Sequence, residues 1–360
     1  MTEQTYLMTL GLVYAFCWGA IWGSFLNVVV WRLPRGMNLA RPGSHCPKCE
    51  TPIKWYDNIP IFGWLRLKGR CRACGVWISP RYPIVELVVA ILGALLWWHV
   101  ARQVLDVELF QVALIPWIFH FFFVFGLVGI ALIDADLTVI PDELTLPLMG
   151  WGLLGALLTP KTGAFIYYAP AVDIVDAGIG LAVGFGMIAV IFIGYRVLTG
   201  RYGLGWGDAT LLGAIGANLG WQSLVFVLLA SSLQGLLAAV GIAIYDRASG
   251  REAGGEGSAL LKGAHTDAFW EEDPLEAERA RAAGETDAAE GIEAAADAVD
   301  VDAATVAADG GADTASAEDD DEGGFMQLAL PFGPFLALAA IEYIFFGRAF
   351  LSWLTAGALP

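Results

Sequence analysis

"VALIPWIFHFFFVFGLVGIALIDAD", residues 112–136, runs for 22 positions without Asp, Glu, Lys or Arg and then meets Asp134. At 1.5 Å per residue an apolar helix of about 20 residues crosses the hydrocarbon core of a bilayer, so this stretch reads as a membrane span with a carboxylate at its end. The rest of the chain repeats the pattern. Of 360 residues 57% are hydrophobic, mean hydropathy is +0.61, and further apolar runs cover 7–31, 84–100, 144–158, 174–194, 209–220, 224–245 and 325–346. The expectation is an all-α polytopic membrane protein with about eight transmembrane helices. The sixth run is the weakest, because twelve residues reach only about 18 Å unless the helix starts earlier or is sunk inside the bundle. The first run is longer than a signal-peptide core and has no Lys or Arg ahead of it, so it is kept as a mature helix.

Net charge is −17, but it is local: of 37 acids and 20 bases, 22 and four fall in residues 251–322, leaving 15 and 16 elsewhere. The stretch 247–325 is rich in Ala, Glu, Asp and Gly and cannot bury enough apolar surface to offset chain entropy. A disordered acidic insertion is expected there, a solvated tolerated segment before a device for gathering basic ligands.

Orientation follows from Lys/Arg in short loops. Ten fall from Arg32 to Arg81 against only Glu50 and Asp57, whereas 101–111 and 159–173 carry one each. The first loop is therefore read as cytoplasmic and both termini as facing outward. Asp134 closes the third span and Asp208, in "GLGWGD" (203–208), opens the sixth, with one out-and-back pair of helices between them. Both carboxylates must emerge at the same face.

An ionisable side chain at membrane depth costs roughly 2.5–3.5 kcal/mol on insertion scales and is a functional hypothesis by default. Two carboxylates converging at a shielded site share a proton, because like charges a few ångströms apart resist ionising together. One can then deprotonate a water while the other polarises a peptide carbonyl, which is aspartic peptide hydrolysis. Gly205 and Gly207, without Cβ atoms, would let a substrate backbone approach. Asp208 could equally be the N-cap of its helix. Asp142, after Pro141, reads as a first-turn residue and Asp136 as solvated loop. Spacing alone does not choose between Asp134 and Asp142.

The first cytoplasmic loop holds "CPKC" (46–49) and "CRAC" (71–74), with 21 residues between Cys49 and Cys71. Two such pairs in a reduced compartment fit a closed tetrahedral structural zinc site of Cys46, Cys49, Cys71 and Cys74. Four thiolates leave no open position, so zinc is not read as the catalyst, and His45 is not needed as a ligand. Cys17, alone in the first span, reads as packing. Glu342, inside the last span, reads as a structural partner.

"GSFLNVVVWRLP" (23–34), the paired cysteine motifs, "NIPIFGWLRLKGRCRAC" (58–74), "SPRYPIVEL" (79–87), "IDADLTVIPDELTLP" (133–147), "GLGWGD" and "LPFGPFLAL" (330–338) occur in the order that resembles type IV prepilin peptidases, the GxGD-type aspartic membrane proteases. The resemblance covers nearly the whole chain outside the acidic stretch. It implies a bifunctional, multi-pass enzyme of the bacterial inner membrane. Such an enzyme cleaves the basic leader of prepilins and pseudopilins and methylates the new amino terminus with S-adenosylmethionine. It implies Asp134 and Asp208 as the catalytic pair, where spacing had left Asp142 open. For the methyl donor no glycine-rich loop after a strand is present; by resemblance the site belongs to the cytoplasmic loop, with Gly69, Arg70 and Glu86 as candidates of unassigned role. One departure is Thr210, where the family often has Lys. The expected partners are prepilin-like substrates and the lipid bilayer, with no nucleic acid. The expected divisions are residues 1–31, a first transmembrane helix; 32–83, the cytoplasmic four-cysteine zinc domain; 84–246, the peptidase core; 247–325, the acidic insertion; and 326–360, the last helix and C-terminus. Two other classes fit parts of the pattern: a proton-coupled transporter relaying protons through its carboxylates, and a non-catalytic scaffold docking partners through its zinc module.

Overall fold

A computed structural model of the chain describes residues 3–104, 110–162, 172–199, 205–248 and 331–356. Among them, every one of the eight apolar runs forms a helix and no strand occurs. The helices are α1 (Glu3–Arg32), a short α2 (Phe62–Arg66) in the cysteine-bearing loop, α3 (Arg81–Val104), α4 (Phe110–Leu137), α5 (Asp142–Thr162), α6 (Ile174–Thr199), α7 (Trp206–Leu219), α8 (Trp221–Ala248) and α9 (Gly333–Ala356). Five of them, α1, α3, α4, α6 and α8, contain segments long and apolar enough to cross a membrane, and α9 carries a shorter apolar stretch. The acidic insertion lies outside the described residues except for 247 and 248, which close α8.

Small residues set how closely the helices approach. On α1, Gly11, Ala15, Gly19 and Gly23 fall on one stripe, every fourth residue. A Cβ at Gly19 would sit 2.7 Å from the Cα of Ala90, and one at Gly23 would sit 2.7 Å from the Cα of Glu86. Only hydrogen fits there, so α1 and α3 touch backbone to backbone, as small-xxx-small helix pairs do in membranes. On the other side of α3, Trp117 of α4 donates its indole N–H to the carbonyl of Gly93 at 2.9 Å, inside a core of Trp97, Phe121, Leu127 and Ile130.

Helix α7 resolves the weak sixth run. It begins at Trp206, three residues earlier than the apolar pattern, and every residue from Ala209 to Ala217 is buried. A Cβ on Gly216 would come within 2.1 Å of the carbonyl oxygen of Gly180 on α6, and one on Gly152 of α5 within 2.7 Å of the Ala217 backbone. A 14-residue helix of about 21 Å suffices because α5 and α6 wrap it. By contrast, α8 leaves Leu229, Leu233, Leu236, Leu237, Val240 and Ile244 exposed. An apolar surface of that extent suits hydrocarbon rather than water.

Two readings of single residues change. Asp136 is not in a loop: α4 continues to Leu137, and Asp136 accepts a hydrogen bond and ion pair from Arg81 at the start of α3. Cys17 does not pack but lies exposed on α1, an apolar thiol on an outer face. Glu342 on α9 accepts a 2.8 Å hydrogen bond from the side-chain amide of Gln234 on α8, the structural role expected of it.

Candidate active site

The beginnings and ends of five helices meet at one end of the bundle. Asp134, in the last turn of α4, is 4% exposed. Its Oδ2 accepts a 2.9 Å hydrogen bond from the backbone N–H of Gly333, the first residue of α9. The unpaired N–H groups and positive dipole end of a helix favour an anion at this position. Gly333 has no room to be anything else without moving that carboxylate, since a Cβ would lie 2.6 Å from the same oxygen.

Asp208 occupies the first turn of α7, whose N-cap is Gly205 and not Asp208 itself. Its carboxylate reaches back to the N–H of Gly205, half of a capping box, so it stabilises the helix start. The helix ends that carry Asp134 and Asp208 share one neighbour. Between the helices stands Ile140: a Cβ at Gly207 would be 2.6 Å from the Ile140 Cβ, and one at Gly333 would be 3.2 Å from its Cδ1. Gly207 therefore lets α7 close on the α4–α5 connection. Asp142 opens α5, as expected of a first-turn acid. Thr210 is buried; its hydroxyl donates to the Gly207 carbonyl at 3.0 Å and lies 3.2 Å from that of Thr145. It thus braces the turn holding Asp208 where a lysine would bring charge. Gly333, Ile140 and the Arg81–Asp136 pair escaped sequence reasoning; "LPFGPFLAL" marked the right segment without revealing that a backbone N–H was its working group.

The loop between α1 and α3 brings all four predicted cysteines together. Their sulfurs lie within 4.8 Å of one another, with Cys46–Cys74 at 3.8 Å and Cys49–Cys71 at 4.0 Å. Zn–S bonds of about 2.3 Å in a tetrahedron put sulfurs about 3.8 Å apart, so the cluster fits that ion. Two matching turns carry it. Glu50 N–H donates to the Cys46 carbonyl at 2.8 Å and Gly75 N–H to that of Cys71 at 2.9 Å, both with positive φ. Burial pushes the Cys46 thiol up to about 12, while the hydroxyl of Thr51, 3.3 Å from the Cys49 sulfur, holds that thiol down to about 6. A bound cation would favour the thiolate form of all four. His45 stands outside the set, its Nδ1 2.9 Å from the Gly43 carbonyl. Asp57 ties the loop's arginines together. It accepts from Arg72 at 2.6 and 2.7 Å and from Arg66 at 2.5 Å, and this pairing, Arg72 first, brings it down to about 2.

Beneath the loop, between α1 and α3, lies a cavity of about 510 Å³ lined by Trp31, Arg32, Trp64, Arg70, Tyr82 and Glu86 among others. Its size, aromatic walls and few charged groups fit a small-molecule ligand. Two of the three residues singled out from the sequence, Arg70 and Glu86, line it. The third, Gly69, turns the chain at φ +69° against the ring of Trp64.

A helical bundle with a carboxylate at each of two neighbouring helix ends and a four-cysteine loop between its first long helices has the layout of a polytopic membrane peptidase. Residues 17–100 match the family described as Bacterial Peptidase A24 N-terminal domain, and residues 121–240 match the Type IV leader peptidase family. The chain is similar to proteins named prepilin leader peptidase/N-methyltransferase. The one from Klebsiella pneumoniae is 40% identical over 232 residues, covering 61% of this chain and 92% of the relative. Those from Aeromonas hydrophila (38%; 63% and 79%) and Neisseria gonorrhoeae (33%; 67% and 85%) resemble it similarly. No solved structure matches it. The chain belongs to the type IV leader peptidase family.

Proposed function

We propose that this enzyme cleaves the basic leader of prepilins and pseudopilins at the cytoplasmic face of the bacterial inner membrane. Asp134 and Asp208 act as the hydrolytic pair, and the new amino terminus is then methylated. The observation that carries the first activity is the meeting around Ile140 of the α4 end bearing Asp134, the α7 start bearing Asp208 and the Gly333 N–H. One carboxylate takes a proton from water while the other, protonated, donates to the scissile carbonyl; the hydrogen bond from Gly333 N–H favours Asp134 as the ionised partner. Gly205 leaves space for an extended backbone beside Asp208, whereas the space expected at Gly207 is taken by Ile140.

Five to eight helices serve as spans, and the Lys/Arg excess of the 32–83 loop supports a cytoplasmic cysteine domain joined to the 84–246 peptidase core. Zinc held by Cys46, Cys49, Cys71 and Cys74 folds that domain. The cavity beneath it is the natural place for S-adenosylmethionine, which supplies the methyl group. Arg32 and Arg70 on its wall suit a carboxylate and the two tryptophans an adenine ring.

The test is incubation of purified enzyme with a prepilin carrying its leader. Wild type is expected to cleave it, while Asp134→Asn and Asp208→Asn each lose cleavage and keep their metal. Omitting S-adenosylmethionine should leave cleavage intact and the product unmethylated. Cleavage by either variant at the wild-type rate refutes the assignment.

A further inference from the structure

Glu86 has no part in the proposed hydrolysis, yet it is a buried carboxylate, 8% exposed, among the residues that line the loop cavity. Burying a carboxylate is costly unless its oxygens are hydrogen-bonded or paired. Its environment supplies the first. Its Oε2 accepts from the N–H of Ile61 at 2.6 Å, and the hydroxyl of Ser24 on α1 is its other partner. No Lys, Arg or His pairs with it among the described residues.

The scaffold holds this carboxylate with some strain. Ile61, a β-branched residue, sits at φ +64°, a conformation that such residues avoid, and in it presents its N–H to Glu86. Gly23, opposite the Glu86 Cα, brings α1 close enough for Ser24 to reach. Two elements thus converge to fix an anion that lacks a counter-charge, beside a space large enough for a ligand.

Position indicates which ligand group. Glu86 lies five residues, or about 7.5 Å, into α3, on the bundle side of the cavity, whereas Arg70 lies on the loop side. The start of α3 is tied through Arg81 to Asp136, two residues beyond Asp134. A peptide released beside Asp134 therefore meets the Glu86 side of the cavity first. Its new terminus is a primary ammonium, which must lose a proton before its nitrogen can be methylated.

Resting on the cavity being the methyl-transfer site, we propose that Glu86 binds the new amino-terminal ammonium of the cleaved substrate and accepts its proton. The proton passes to the carboxylate and the nitrogen lone pair bonds the methyl carbon of the sulfonium donor. The carbon–sulfur bond breaks, a neutral thioether leaves, and the secondary ammonium returns the charge to the product. The other ammonium that could reach Glu86 is the amino-acid end of the donor itself, and the test separates the two.

Intact enzyme carrying Glu86→Gln keeps the side-chain shape and an acceptor for the Ile61 N–H. Methylation is followed with a pre-cleaved peptide, and S-adenosylhomocysteine binding is measured by calorimetry. Losing a hydrogen bond between charged groups weakens binding by about 10-fold or more, so KM for the peptide is expected to rise by that factor and kcat to fall. Binding of S-adenosylhomocysteine, which keeps the donor's ammonium, should be unchanged. Cleavage of full-length prepilin, performed elsewhere in the molecule, reports that the variant is folded. If S-adenosylhomocysteine binding weakens instead and peptide KM holds, Glu86 serves the donor and the proposal is overturned. A second variant, Val28→Trp, fills the cavity from α1. If it leaves S-adenosylhomocysteine binding intact, the cavity is not the methyl-transfer site and the proposal fails with that reading. If it abolishes binding while Glu86→Gln methylates the peptide as wild type does, the cavity stands and the role of Glu86 alone is refuted.

Discussion

The cysteine cluster and the aspartate site are assembled in opposite ways. Cys46 and Cys74 are 28 residues apart, and everything that shapes their cluster lies in one loop. Asp134 and Gly333 are 199 residues apart, and their hydrogen bond exists because α4 ends where α9 begins. A loop of mixed polarity with no strands gathers four sulfurs that a metal could tie together, while the aspartate site takes its rigidity from glycine-mediated contact between whole helices. The two halves should therefore fail differently when they are disturbed.

The sharpest contrast comes from two glycine-to-alanine changes. Gly333→Ala puts a methyl group 2.6 Å from Asp134 Oδ2, at the free end of a side chain that can swing away. Stability should barely change, but with Asp134 in the proposed catalytic role a displacement of about 1 Å should cost about 100-fold in cleavage rate. Full activity in this variant would mean that the Gly333–Asp134 contact does not position the carboxylate. Next in size is Cys71→Ser. The variant should release its metal, measurable by atomic absorption, and lose methyl transfer, while cleavage falls by less because no cysteine touches the aspartates. Equal loss of both activities would show that the two regions fold as one.

Gly216→Ala acts on the bundle instead of the site. Its methyl group meets the Gly180 carbonyl oxygen at 2.1 Å, and a backbone atom cannot swing away. Overpacking of this sort costs about 1–3 kcal/mol, so thermal unfolding in detergent should shift downward while the residual folded enzyme cleaves normally. The smallest effect expected is that of Asp57→Asn in the loop. The folded pKa of Asp57 is below its unfolded value of about 3.9. Its contribution is therefore complete above that value and fades as pH falls toward about 2. The stability difference between wild type and Asp57→Asn should be present at neutral pH and vanish near pH 2; a difference that grows on acidification contradicts the pairing.

The same contrast explains what the sequence made legible. Four cysteines at fixed spacing announce their own cluster, because each contributes a chemically distinctive atom and local turns do the rest. Asp134 and Asp208 could be placed on one face by counting helix crossings, though choosing Asp134 over Asp142 needed family resemblance. Gly333 could not be found, since its contribution is a backbone N–H that any residue but proline possesses, delivered across the acidic insertion. Asp136 reads as loop because the apolar run stops at Ile133, whereas the helix, meeting no breaker before Pro141, runs on to Leu137. The Gly11–Gly23 stripe was readable as a small-xxx-small motif, but only the structure identifies α3 as its partner. Glu86 stood in a matched segment without a role until the cavity beside it came into view.

Asp134 and Asp208 are proposed to work as a single unit, and a cleavage assay on Asp134→Asn, Asp208→Asn and the double variant tests this most directly. Residues that share one chemical step are strongly non-additive. The double variant should be no slower than the slower single variant, with both singles down by at least about 100-fold. Losses that multiply, as independent sites would give, or substantial cleavage by either single variant, would contradict it.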